Sequence, residues 1–263
     1  MTIFNRVKPL AAMLLGFALP AAHAATCNLT SGLNGSCNID GAIYQNPANS
    51  VVVGSGVIDP FLTVQRTGTE SGFSTDAASN NLPLDVKRAE GNNQFTRTFT
   101  VGQLGTVSVG ANSYYQFFLD INEPAASNKS GLSLDQLKIY NAGQVGSVNL
   151  GSGTTLANLA TLFGNPIYDL GANRVLLDYN LIGSGSGKGF DMNVLIPTSL
   201  FNLSADSRLV FATQFGSAGG TYQSQGGFEE WTYLRNNAVP EPASLALTGL
   251  GLGLMAIRRR RSK

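Results

Sequence analysis

Histidine is almost missing from this chain, and cysteine and charge are scarce. The single histidine is His23, the two cysteines are Cys27 and Cys37, and 13% of the 263 residues are charged. His23 lies in a stretch with the marks of a removable export signal, so the body is expected to contain no imidazole. Ser-His-Asp and Cys-His catalysis are then unavailable, as is any metal centre that needs a nitrogen ligand. Two cysteines alone cannot complete a zinc site. In a short polar segment of an exported chain, Cys27 and Cys37 are expected to form a disulfide. Basic charge is scarce too once the ends are set aside. Arg6, Lys8, Arg258 to Arg261 and Lys263 supply seven of the 17 basic residues, which leaves the body with 10 basic and 15 acidic residues and a net charge of −5. Nucleic acid requires a basic footprint, and this body has none.

The two ends read as addresses. Arg6 and Lys8 precede the apolar run Leu10 to Leu19, and Ala22-His23-Ala24 has the small-x-small pattern of a signal-peptidase site. Residues 1–24 are expected to be a signal peptide cleaved after Ala24. Ala24-Ala25-Thr26 before Cys27 lacks the branched residue and the small final residue of a lipobox. At the other end, Val239-Pro240-Glu241-Pro242 cannot be helical, because each proline fixes its own φ and pushes its predecessor toward extended backbone. No residue from Ala243 to Ile257 is charged. As a helix that run would span roughly 22 Å against roughly 30 Å of hydrocarbon. Arg258, Arg259, Arg260, Arg261 and Lys263 would stay on the cytoplasmic side as a stop-transfer cluster, leaving the body outside. Gly249 and Gly253 form a GxxxG pair of the kind that packs helices closely.

In that order, VPEP, the apolar run and RRRRSK resemble the PEP-CTERM sorting signal of Gram-negative exoproteins. The resemblance implies recognition by an exosortase in the inner membrane. It implies transient anchoring by the tail, then processing near Val239 to Pro242 and delivery to the cell surface or extracellular space. It also implies association with exopolysaccharide or biofilm. The body strings GSGVIDPFLTVQ (Gly54 to Gln65), FFLDINEP (Phe117 to Pro124), LSLDQLKIY (Leu132 to Tyr140), RVLLDYN (Arg174 to Asn180) and GGFEEW (Gly226 to Trp231) resemble a recurring group of PEP-CTERM exoproteins. No reaction is assigned to that group.

The division expected is 1–24 signal peptide, 25–237 exported domain and 238–263 sorting tail. Roughly 216 residues suffice for one sizeable core. Abundant Gly, Ser, Thr and Asn punctuate short β-rich runs. Strands are predicted at Ala42 to Tyr44, Val51 to Val53, Phe61 to Arg66, Phe95 to Val101, Thr106 to Val109 and Tyr114 to Ile121. More are predicted at Gln136 to Tyr140, Arg174 to Asn180, Asp191 to Ile196, Leu209 to Phe215 and Phe228 to Leu234. Leu156 to Phe163 reads as a short helix, Pro197 to Phe201 as a turn, and the polar stretch Thr67 to Asn81 as an exposed loop. About ten strands without alternating helices predict an all-β chain, a single β-sandwich of jelly-roll type.

Several groups are candidates for chemistry. Gly183 to Gly189 departs from a phosphate loop at Ile182 and Gly189, and reads as a hairpin loop between RVLLDYN and DMNVLI. Three Asp-x-Asn dyads, Asp120/Asn122, Asp178/Asn180 and Asp191/Asn193, offer oxygen pairs. Asp178 and Asp191, flanking that loop, are the candidate calcium ligands, against the plainer reading of strand-end turn chemistry. Trp231 and Tyr222 are candidate sugar-stacking rings, with Tyr114 and Tyr115 beside them in a carbohydrate-binding alternative. Glu229 and Glu230 are the most enzyme-like pair, but neighbours on a strand point to opposite faces. A glycoside hydrolase would have to recruit Asp120 or Asp178. The expected role is therefore non-catalytic, without a cofactor unless calcium binds. The expected partners are signal peptidase, exosortase, the inner membrane and exopolysaccharide.

Overall fold

The computed structural model describes residues 24–46, 59–87, 95–183 and 189–236. In chain order the strands are β1 (Thr26–Asn28), β2 (Ser36–Ile39), β3 (Ala42–Gln45), β4 (Leu62–Val64), β5 (Thr67–Gly68) and β6 (Glu70–Phe73). Then come β7 (Phe99–Thr100), β8 (Thr106–Val109), β9 (Asn112–Asp120), β10 (Gly131–Gly143), the helix α1 (Leu156–Phe163), β11 (Tyr168–Asp169) and β12 (Arg174–Asp178). The series continues with β13 (Met192–Pro197), β14 (Arg208–Phe215), β15 (Ser224–Gln225) and β16 (Glu229–Tyr233). The chain is all-β with one α-helix among the described residues.

One seven-stranded sheet runs β1-β12-β10-β14-β6, with β11 on β10 and β7 on β14. The other seven-stranded sheet runs β2-β3-β13-β9-β16-β4, with β8 on β9, while β5 and β15 form a small ribbon. The long strands arise from side chains that alternate between two faces. On β9, Phe117 pairs with Val194 and Tyr233, and Leu119 with Met192 and Trp231. All six face inward. From the opposing sheet, Leu209, Phe211 and Phe215 of β14 enter the same core. Phe61 joins the two layers, with its ring centroid 4.6 Å from Phe99, 5.2 Å from Phe211 and 5.5 Å from Tyr233. The buried hydroxyls of Tyr44 and Tyr168 also meet across the layers at 2.8 Å. On the outer face of β14 and β10, Val210, Ala212 and Tyr140 form a second, smaller cluster with Phe73 and Leu159 of α1. Thr155 and Asn158 close a capping box at the start of that helix.

The predicted strands at 42–44, 61–66, 106–109, 114–121, 136–140, 174–180, 191–196, 209–215 and 228–234 each overlap an observed one, and α1 coincides with the predicted helix. Val51 to Val53 lies outside the described residues. Three expectations are corrected. Thr67 to Asn81 is not an exposed loop: it contains β5 and β6, and Glu70, Phe73, Ser74, Thr75 and Ala77 are buried. Its polar side chains replace ladder bonds, as where the Phe211 amide donates to Ser74 Oγ and the Leu150 amide to Thr75 Oγ1. Phe95 to Val101 is strand only at β7. There Arg97 reaches the Pro60 carbonyl and Asp59, and Thr98 donates to Asp76, so side chains satisfy the segment. The stretch between β12 and β13 is not a hairpin, because β12 belongs to one sheet and β13 to the other.

The disulfide forms as expected, between Cys27 and Cys37, with their Cα atoms 5.8 Å apart. Its position could not be read from spacing. Cys27 sits on β1, the edge of one sheet, and Cys37 on β2, the edge of the other. The bridge therefore fastens one flank of the two-layer structure covalently. Replacing both cysteines by serine is expected to cost ~2–3 kcal/mol, by loop-entropy arithmetic for so short a loop. Urea unfolding with and without the bridge measures this.

Candidate functional site

Buried carboxyl groups gather at the flank opposite the disulfide. Glu70 begins β6, the far edge of the first sheet, where it pairs with Phe215. Glu229 begins β16, next to the far edge of the second sheet, where it pairs with Val64. Glu123 follows β9. Glu70 and Glu229 are fully buried, and Glu123 is 2% exposed. Backbone donors hold two of the three. The Arg66 amide donates to Glu70 Oε2 at 2.7 Å, and the Gln225 amide to both Glu123 oxygens at 3.1 and 3.0 Å. Glu229 has no such partner for either oxygen. Its neighbours are the carboxyls of Glu70 and Glu123, so contact among them requires a proton on one member.

Burial is the main cause that raises the pKa of each. Glu123 is pushed up to about 7, against the pull of the Gln225 amide and the Ser224 hydroxyl. Glu229 is raised well above the carboxylate range, by burial first and then by Glu70 and Glu123. Glu70 is raised by burial, against its contacts with Glu229 and the Arg66 amide. One face away, Asp120 of β9 pairs in register with Glu230 of β16. Burial and the Glu230 charge push Asp120 up to about 7, while its hydrogen bond with Asp191 acts the other way. Asp191 is itself raised well above its usual range by burial, and its Oδ2 accepts from the Ile121 amide at 2.8 Å.

Nothing in the sequence selects Asp120 over Asp178 as a partner acid for Glu229 or Glu230; the sheet register sets Asp120 opposite Glu230. Neither Glu70 nor Glu123 stands out in the sequence as a site residue. Glu70 lay in a stretch that read as loop, yet Glu123 and Glu229 fall in FFLDINEP and GGFEEW, two of the strings that carried the resemblance. Those strings meet at Gly227. A Cβ there would stand 1.8 Å from the Asn122 carbonyl oxygen, so only glycine lets the start of β16 pass this close to the end of β9.

Other predicted site residues fall as follows. Trp231 cannot stack on a sugar: it is fully buried, 4.8 Å from Phe211 between ring centroids. Strand alternation that sends Glu230 outward sends Trp231 into the core. Tyr222 is half-buried, with its ring against Gly131. Tyr114 is buried and Tyr115 packs edge-on to Phe201 at 4.9 Å, so these rings form no exposed row. Asp178 Oδ1 accepts from the Asn180 amide at 3.0 Å, as in a local turn, while Asp191 is engaged by Ile121 and Asp120. Asp178 lies close enough to raise Asp191 further. Among the described residues, no group of three or more His, Cys, Asp or Glu side chains is placed to hold a metal ion, and no helix is long and apolar enough to cross a membrane.

Ala22, Val239 to Pro242 and Arg258 to Arg261 lie outside the described residues, and Ala24 is exposed ahead of β1. Comparison with curated proteins and with solved structures found no match. Residues 238–261 match the family model of the PEP-CTERM protein-sorting motif. That span takes in VPEP, the uncharged run and the four arginines. The chain carries a PEP-CTERM protein-sorting motif behind its all-β body, and this motif supports its identity as an exosortase substrate.

Proposed function

We propose that this chain is a non-catalytic protein of the cell surface or extracellular matrix, exported behind a cleaved signal peptide. In this reading an exosortase sorts it through its tail, and it works in association with exopolysaccharide or biofilm. The observation that carries the reading is the sorting motif over 238–261. Its three parts have separable physical tasks. The two prolines present an extended strip, the uncharged run enters the bilayer, and the arginines stop transfer. The body, read as a jelly roll, is a rigid cargo. That reading draws on the strand orders β4-β16-β9-β13 and β6-β14-β10-β12, in which the chain passes repeatedly from one sheet to the other. Burial of Trp231 and Tyr114 favours a scaffold over a carbohydrate-binding module.

Mass spectrometry of the surface-exposed protein tests this. The expected C-terminus lies near Val239 to Pro242, with Arg258 to Arg261 gone. Replacing Pro240 and Pro242 by alanine should leave the unprocessed chain in the membrane. An intact RRRRSK terminus on the bulk of the surface protein would reduce the tail to an ordinary anchor.

A further inference from the structure

We propose that Glu70, Glu123 and Glu229 form a proton-operated clasp that tightens the flank away from the disulfide in acid and loosens as they ionise. The argument begins with placement. β1 and β2, the two edges at one flank, are tied by Cys27–Cys37. At the other flank β6 and the β16-β4 pair face each other; the backbone of Asp85 and Lys87 bonds β4 and β6 there, and the carboxyls of Glu70, Glu123 and Glu229 meet beside it. Glu229 is fully buried, and neither of its oxygens meets an N–H or O–H donor. A buried carboxylate in that position would be unpaired and costly. A shared proton turns the same contact into a hydrogen bond.

The groups around the clasp give an ionised form little help. From β6 comes Glu70, with the Asp85 charge beside it. From the segment after β9 comes Glu123, and from the β15 ribbon come the Ser224 hydroxyl and the Gln225 amide. From β4 comes Val64, and from β14 Phe215. Arg66 contributes its amide to Glu70, while its side chain is 65% exposed and its guanidinium turns to Asp85 at 3.6 Å. On the reverse face of β16 stand Glu230, Asp120 and Asp191. Ionisation therefore places like charges on both sides of the seam.

The sign follows from raised pKa values in the fold. The folded state holds protons that the unfolded chain releases near pH 4, so the stabilisation is complete below that pH. It is lost as pH rises toward about 7, where Glu123 titrates. Asp120 and Asp191 add a loss of the same sign, so a global melting profile alone would not isolate the clasp.

The test uses the full chain in detergent, melted between pH 5 and pH 8, beside E229Q. The wild type should lose on the order of 10 °C across that range. E229Q, which keeps the shape but cannot ionise, should lose distinctly less and should melt above wild type at pH 8. Hydrogen exchange on the wild type provides a second readout, should E229Q not fold. With intrinsic rates corrected, amides of Glu70–Phe73 and Glu229–Tyr233 should lose protection between pH 6 and pH 8 while those at the centre of β10 keep theirs. A wild-type profile that is flat or rises with pH would overturn the clasp. So would equal slopes in wild type and E229Q, or exchange that changes alike in β6, β16 and β10. Stabilisation at pH 8 by millimolar calcium, absent in E229Q, would replace the proton by a cation and overturn it equally.

Discussion

Trp231→Ala is expected to destabilise the protein by about 3–5 kcal/mol, the usual cost of deleting a large buried aromatic. The indole has no exposed surface, pairs in register with Leu119 and Leu62, and packs on Phe211 and Phe215 of the opposite sheet. Truncation would leave a cavity where the two layers meet, and β-sheets cannot close such a gap without shifting both ladders. Equilibrium unfolding in urea reads the loss as a lower midpoint. A sugar-stacking role makes the opposite forecast, with ligand binding lost and stability nearly unchanged. A cost below ~1 kcal/mol would place the ring outside the core.

Gly227→Ala should cost about 3 kcal/mol, at the upper end of what overpacking does. The added methyl would meet backbone rather than a yielding side chain, at 1.8 Å from the Asn122 oxygen and 2.5 Å from its carbonyl carbon. Relief requires moving the start of β16 away from the end of β9. That separates Glu229 from Glu123 and disturbs the Glu230–Asp120 pair as well. The variant should therefore combine a lower melting temperature with a flatter dependence on pH. Gly153→Ala, at a site where a Cβ meets nothing within 4 Å, is the control and should change little.

Local pattern was legible wherever one side of a strand faced the core. β16 alternates clearly, β14 shows as a continuous run of β-formers because both its faces are buried, and the helix at Leu156–Phe163 begins at its own capping box. The largest departure has a plain cause. Glu70 to Ala77 looks like loop because it is polar, yet it is buried, and its hydroxyls and carboxylates take hydrogen bonds from distant chain segments. The same blindness hid the carboxyl seam. Glu70, Glu123 and Glu229 are far apart in sequence, and only the meeting of β6, β9 and β16 makes them neighbours.

The sequence by itself determined that the chain carries a protein-sorting motif and so the exosortase route it follows. The sorting motif is a linear signal whose meaning depends on the order of a proline strip, an apolar run and a basic cluster, and linear order is what a sequence records. It also determined the all-β character, through short β-rich runs punctuated by Gly, Ser, Thr and Asn, and the identity of the disulfide partners, since there were only two. The tertiary structure decided what each group is for inside the body. It turned Trp231 from a candidate binding ring into a core residue, made Asp120 the partner of Glu230, and set Cys27–Cys37 and the three glutamates at opposite flanks of the same two sheets. Those outcomes depend on strand order and register, which are settled by contacts between segments far apart in the chain.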